Sequence, residues 1–304
     1  MAIIVTGASG QFGRTTTQEL LKRVPASELI LTTRNPDSLA EFAALGAQVR
    51  YASFDDPESL DKAFVGGTRM LLISTLRVGS RVEQHQHAIE AAKRAGVTHV
   101  VYTSVIGADR EGNPGKEVWD HRDTENLLKA SGMHWTFLRN SQYAEAVAQV
   151  IAPIAVAAGT WPGSAHDGGM AFVSRDDLAE CAAVILSSDG HENKAYDLTG
   201  PEMLSMPKAI ALISEVSGKP VEYRYVTDEE MQAHFDSLGF PRTASDNVDP
   251  DRPWSSDGML TFEQAIREGF FAVCSDHVEQ LIGRKPRSLR DVLMQYRDGM
   301  LPRA

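Results

Sequence analysis

Thr6-Gly7-Ala8-Ser9-Gly10-Gln11-Phe12-Gly13 sets three glycines at three-residue spacing between an apolar run at residues 2–6 and a helix-forming stretch at residues 15–23, which Pro25 closes. Few chain segments constrain a fold as tightly. Gly7 allows a tight turn, Gly10 lets backbone approach a pyrophosphate, and Gly13 lets the helix pack closely on the strand. A helix starting there offers free N–H groups and a positive dipole end to phosphate. Thr6, Ser9, Gln11 and Phe12 ride on the same turn and are assigned to the cofactor with the glycines. A turn that merely joined strand to helix would use similar residues, and the chain that follows weighs against that simpler account.

Behind the turn, apolar runs and helical segments alternate. Strands are expected at residues 29–33, 49–54, 69–74, 99–104 and 135–138, with helices at 36–45, 57–64, 82–95 and 121–131. This rhythm, with the glycine turn, predicts an α/β fold, a Rossmann-type doubly wound parallel sheet, with residues 1–150 as the dinucleotide-binding domain. Residues 151–304 read as a smaller C-terminal α/β substrate-binding or cap region interleaved with the first. They carry helical pieces at 176–186 and 206–216, Gly and Pro clusters at 159–169, and a polar stretch at 243–257 expected to be a mobile loop.

The end of the second strand decides between dinucleotides. An acid there would hold a ribose 2′-hydroxyl, but the residues are Thr32-Thr33-Arg34-Asn35. The guanidinium of Arg34 suits a 2′-phosphate, so the expected cofactor is NADP(H); a solvated surface arginine is the plainer alternative.

Composition narrows the remaining classes. A net charge of −11 over 304 residues argues against a nucleic-acid footprint. The N-terminus has no signal-peptide pattern, and no 18-residue apolar run occurs, so a cytoplasmic protein without a membrane partner is expected. Cys181 and Cys274 read as two ordinary buried thiols. Nine histidines without paired ligand spacing give no metal site.

TGASGQFG at 6–13, TRNP at 33–36, Tyr102-Thr103-Ser104, and Trp135-Thr136-Phe137-Leu138-Arg139-Asn140 followed by Tyr143 carry a family resemblance. So do residues 191–198 (HENKAYDL) and 281–286 (LIGRKP). The chain resembles the NmrA-like branch of the atypical short-chain dehydrogenases/reductases, and within it the NAD(P)H:quinone oxidoreductase and triphenylmethane reductase group. The resemblance implies NADPH-dependent reduction of quinones or other electron-poor aromatic compounds. It also leaves open a regulator that senses NADP(H) without turnover. It puts the adenine pocket at Ser53 and Phe54, although Phe54 would serve equally as a core aromatic. Ser74, Thr75 and Leu76 are expected on the ribose and nicotinamide side, and Thr103 and Asn140 with the cofactor.

One departure bears on mechanism. Where extended short-chain dehydrogenases have Tyr-x-x-x-Lys, this chain has Glu117-Val118-Trp119-Asp120-His121. Carbonyl reduction builds charge on one oxygen and needs a positioned acid, whereas a quinone or a cationic dye spreads the incoming electron pair. Orientation against the nicotinamide would then carry most of the catalysis. His121 and Ser104 are the catalytic candidates, as proton donor and hydrogen-bonding group; a bonded helix histidine and a strand-end cap are the alternatives. Tyr143 is expected to face the substrate. Lys116 lies near where lignan reductases carry a lysine. Trp161, Met170, Phe172 and Trp254 offer apolar material for a flat aromatic substrate or for the core. The expected protein is a monomer or homodimer.

Overall fold

The computed structural model describes residues 2–76, 80–243 and 254–301. Its strands are β1 (Ile3–Val5), β2 (Leu29–Thr33), β3 (Gln48–Tyr51), β4 (Arg69–Leu72), β5 (His99–Val105), β6 (His134–Asn140), β7 (Thr160–Gly163), β8 (Gly169–Met170), β9 (Lys194–Leu198), β10 (Leu204–Ser205) and β11 (Glu222–Tyr225). Seven of them form one sheet in the order β3-β2-β1-β4-β5-β6-β9, and every neighbouring pair is parallel. The direction of strand addition reverses between β1 and β4. In such sheets ligands lie at that switch point, beyond the carboxyl ends of the strands.

The all-apolar β1 is explained by burial on both faces. Ile3 and Val5 join one core layer, with Leu20, Leu178 and Leu186, and Ile4 joins the opposite layer with Leu60, Phe64, Ala88 and Leu128. Helices α1 (Gln11–Leu21), α2 (Ala40–Ala44), α3 (Pro57–Ala63), α4 (Arg81–Arg94) and α5 (Lys116–Ala130) follow strands β1 to β5 in turn. α3, α4 and α5 pack side by side, while α1 packs against the helix Arg175–Ser187.

Several boundaries differ from the expected ones. β3 ends at Tyr51 and β4 at Leu72, so Ser53, Phe54, Ser74 and Thr75 lie in the loops beyond the strands. α5 begins at Lys116, five residues earlier than the pattern suggests, and so includes Glu117. The seventh sheet strand, β9, comes from the second half of the chain and was not foreseen. Its KAYDL sequence is half-buried along most of its length and lacks the apolar run of a central strand.

The second half adds two small strand pairs, β7 with β11 in parallel and β8 with β10 antiparallel. They lie over a core that includes Met170, Phe172, Ile210, Ile266 and Leu293. The stretch expected to be a mobile loop lies outside the described residues from 244 to 253. Cys181 is buried, but Cys274 is exposed, contrary to the expected pair of buried thiols. It sits in an irregular segment after the helix Ser256–Arg267, with its Sγ 3.7 Å from the carbonyl oxygen of Gly200. Among the described residues no helix is long and apolar enough to cross a membrane.

Candidate dinucleotide and substrate site

The glycine turn has the geometry its spacing predicts. Gly7 has φ +58°, in the left-handed region. A Cβ on Gly13 would lie 2.5 Å from Gly7 O and 2.7 Å from Ala8 Cα, so only glycine lets α1 approach the turn this closely. Gly10 caps α1 with no side-chain bond, and no acid sits in its first turn. The helix therefore keeps its first N–H groups and its positive end for an anion. Fully buried Thr6 fastens the turn to β4: its hydroxyl donates to Leu71 O at 3.0 Å and accepts from Ile73 N at 2.9 Å.

Ser9 Oγ meets Thr33 Oγ1 at 2.8 Å, and Thr33 Oγ1 also accepts from the amide of Asn35 at 3.1 Å. The turn and the end of β2 thus form one braced unit. Arg14, which sequence reading passed over, strengthens the brace by donating to Ser9 O at 3.1 Å and to Ser38 O and Glu41. Arg34 is exposed and makes no ion pair among the described residues. It is a free cation beside a turn built for phosphate. Gln11 is exposed and Phe12 buried at the start of α1. Ser53 donates its amide to Ser59 Oγ at 3.0 Å, and half-buried Phe54 stands edge-on to His85 with ring centroids 6.3 Å apart.

Across the switch point, the loop after β4 is tied down by side chains. Thr103 Oγ1 accepts from Ser74 N at 2.8 Å, and His85 Nε2 accepts from Thr75 N at 3.2 Å. An amide can only donate, so His85 carries its proton on Nδ1, which donates to Thr124 Oγ1 at 2.9 Å; Thr124 passes its own proton to Asp120 O at 2.8 Å. Buried Arg81 donates to Thr75 O at 2.7 Å and to Glu117 O at 3.2 Å, joining the β4 loop to the first turn of α5. Leu76 projects outward, 67% exposed.

The catalytic candidates are both buried and both bonded. His121 Nδ1 lies 2.8 Å from Tyr102 OH, and Ser104 Oγ donates to Glu125 Oε1 at 2.7 Å. Burial and the nearby Arg81 and His85 hold His121 well below the usual imidazole range, so it is neutral at pH 7. Ser104 belongs to a buried network in which Arg139 grips Glu125 through Nε at 3.0 Å and Nη2 at 2.7 Å. Asn140 donates to Tyr143 OH at 3.5 Å, and Arg175 stands over the Tyr143 ring at 5.4 Å. Lys116 is paired with Asp257 at 2.8 Å. Met170 and Phe172 are buried in the core and Trp161 packs against it, while Trp254 is 53% exposed.

At or beyond the carboxyl ends of β4, β5 and β6, Thr75 Oγ1, Glu117 Oε1, Asn140 Oδ1 and Ser141 Oγ are buried with no hydrogen-bond partner among the described residues. Leaving a buried polar atom unpaired costs about 1–3 kcal/mol, so each of these groups is one that a polar ligand or water could satisfy. The glycine cradle and Arg34 lie on one side of the switch point, and Thr75, Asn140 and Ser141 on the other.

The buried imidazoles make stability depend on pH. His85, pushed down to about 3 mainly by burial and then by Arg81, is neutral in the fold, whereas in the unfolded chain it takes up a proton near the ordinary imidazole value of 6.5. A lowered folded value stabilises the protein above about pH 6.5 and loses that contribution as the pH falls toward the folded value. At pH 5 the loss is about 2 kcal/mol. His85→Gln keeps an acceptor for Thr75 N–H and cannot titrate. In urea unfolding, its loss of stability between about pH 7 and about pH 5 should be smaller than the wild type's by about 2 kcal/mol; equal losses would show that His85 does not titrate on unfolding.

The chain matches the NmrA-like family over residues 1–247. Quinone oxidoreductase 2 of Escherichia coli (strain K12) is 37% identical over 258 residues, which cover 85% of this chain and 89% of that protein. Among solved structures, an NADPH-dependent quinone oxidoreductase from Escherichia coli complexed with NADPH has a TM-score of 0.87 at 34% identity, over 96% of this chain and 99% of that one. The Citrobacter sp. triphenylmethane reductase complexed with NADP(H) has a TM-score of 0.85 at 32% identity, over 97% and 100%. By sequence and by fold, the chain belongs to the NmrA-like family.

Proposed function

We propose that this protein is an NADPH-dependent oxidoreductase that reduces a quinone or a similar conjugated aromatic acceptor. The observation that carries the reading is the pairing of a glycine cradle, closed to any side chain at Gly13, with an unpaired Arg34 and no acid at the end of β2. The similarity to a quinone oxidoreductase and to a dye reductase supports the same chemistry. Bound NADPH supplies the hydride.

The chain's own residues bind and orient. Gly7, Ser9, Gly10, Gln11, Phe12 and Gly13 receive the pyrophosphate at the N-terminus of α1, with Thr6 anchoring the turn. Arg34 pairs with the 2′-phosphate, Ser53 and Phe54 border the adenine, and Ser74, Thr75, Leu76, Thr103 and Asn140 border the ribose and nicotinamide. Tyr143, beside Asn140, faces the acceptor. Ser104 and His121, both committed to buried partners, stiffen the strand ends rather than titrate. No Tyr-x-x-x-Lys pair serves this site, which suits an acceptor that spreads charge.

The test is NADPH oxidation by purified protein with quinones, a cationic triarylmethane dye and simple ketones, with NADH in parallel. Turnover on the conjugated acceptors with a preference for NADPH is expected. Arg34→Ala should raise the Kd for NADPH about 10- to 100-fold, the worth of a charged hydrogen bond, and that for NADH by less than about threefold. Equal losses for both would remove Arg34 from the 2′-phosphate. NADPH binding without turnover on any acceptor would replace the enzyme by a redox sensor.

A further inference from the structure

We propose that Glu117, as the protonated acid, delivers the proton that quinone reduction needs. The inference rests on the reductase reading above. Hydride addition gives a quinone two electrons and one proton and leaves a hydroquinone monoanion; one O–H bond must still form. In the balanced step the O–H bond of the Glu117 carboxylic acid breaks and the hydroquinone O–H forms. The carboxylate then recovers a proton from solvent after product leaves.

Geometry singles out this group. Glu117 stands in the first turn of α5, beyond the carboxyl end of β5, and Arg81 ties its carbonyl to the same anchor as Thr75 on the loop after β4. Its Oε1 is buried with no hydrogen-bond partner among the described residues, as are Thr75 Oγ1 on the loop after β4 and Asn140 Oδ1 at the end of β6. Neighbouring groups are committed elsewhere. Tyr102 and His121 bond each other, Ser104 donates to Glu125, Asp109 pairs with Arg139, and Lys116 with Asp257.

The groups around Glu117 favour a carboxyl that stays protonated near neutral pH. Burial pushes it up to about 7, and Asp120 on the same helix adds to the rise. Its own amide and Arg81 of α4 act in the opposite direction. His85 on α4 and His121 on α5 are neutral, and the Asp257 charge from the helix Ser256–Arg267 is met by Lys116. An acid poised there donates best at neutral pH.

A cationic triarylmethane dye provides the internal control, because its central carbon takes a hydride to give a neutral product and needs no proton. Wild type, Glu117→Gln and Glu117→Asp should be assayed with NADPH and either a benzoquinone or the dye. The carboxyl resonances of the NADPH-free proteins should be followed by 13C NMR across pH. Glu117→Gln is expected to lower kcat on the quinone about 100-fold, within the usual worth of a general acid, and to change the dye rate by less than about twofold. Glu117→Asp, with a shorter reach, should keep part of the quinone rate. One wild-type carboxyl resonance should titrate with a midpoint of about 7 and be missing from the glutamine variant. Equal losses on both acceptors, no loss on the quinone, or a midpoint in the ordinary carboxylate range would each overturn the proposal. If wild type reduces neither acceptor, the reductase reading itself fails and takes this one with it, while the NMR titration still reports the state of Glu117 separately.

Discussion

Replacing Glu125 by alanine is expected to lower the unfolding free energy by about 3–5 kcal/mol, a large part of what a domain of this kind has. Its side chain is 2% exposed and accepts from Ser104 Oγ and from two nitrogens of Arg139, whose own side chain is 10% exposed. Taking the carboxylate away leaves the guanidinium in the interior with Asp109 as its one remaining ion-pair partner among the described residues and the charge of Asp197 acting on it as well. Removing one member of such a pair is costly because the other charge stays desolvated, not because the pair itself is strongly stabilising. Glu125→Ala combined with Arg139→Met should therefore recover stability relative to the single variant. Urea denaturation of wild type, the two singles and the double reads the effect. A loss of under about 1 kcal/mol for Glu125→Ala would mean that water reaches the pair.

The network also has a positional role. Ser104 and Arg139 are register partners on β5 and β6, one residue before Val105 and Asn140, and Glu125 lies on α5. The network fixes those strand ends against the helix that carries Glu117 and His121. A Glu125 variant that still folds should accordingly bind NADPH less tightly while keeping its preference over NADH, since Arg34 lies on the other side of the switch point.

The glycine-turn half of the switch point was more legible in the sequence than the half beyond β4 and β5, for a physical reason. A glycine turn following an all-apolar strand is local, and its demands on φ and on Cβ-free approach are written in eight consecutive residues. The opposite half is assembled from contacts distant in sequence, such as Arg81 with Thr75 and Glu117, or His85 with Thr75 and Thr124. No periodicity announces these. The β4 boundary moved for a related reason: the Ser74 amide bonds to the Thr103 side chain instead of a neighbouring strand, so the ladder stops at Leu72. The start of α5 was hidden because Gly115, without a capping side chain, stands where serine or aspartate would have marked it. Arg14 could have been noticed as a base one residue beyond the last glycine of the turn. Its acceptors, a carbonyl on the turn and two groups near α2, appear only in the fold.

Gly13→Ala should be the sharpest test of the cradle. The added methyl would sit 2.5 Å from Gly7 O and 2.7 Å from Ala8 Cα, and both obstacles are backbone, so neither can swing aside. Either α1 moves away from β1 or the turn opens, and both shift the N–H groups that α1 aims at the pyrophosphate. Overpacking of this kind costs about 1–3 kcal/mol of stability. The effect on binding should be larger, because the phosphate site depends on the separation of turn and helix: NADPH affinity is expected to fall about 100-fold, roughly 2.7 kcal/mol. Gly299→Ala is the matched control. Its methyl would meet nothing within 4 Å, in the helix Arg297–Met300, and both affinity and stability should hold or improve slightly. Isothermal titration with NADPH and with NADH separates the two halves of the site: Gly13→Ala should weaken both dinucleotides alike, because the pyrophosphate is common to them. A selective loss of NADPH would mean that the methyl disturbs Arg34 through the Ser9–Thr33 bond, and the cradle would then have to be read as part of the 2′-phosphate site.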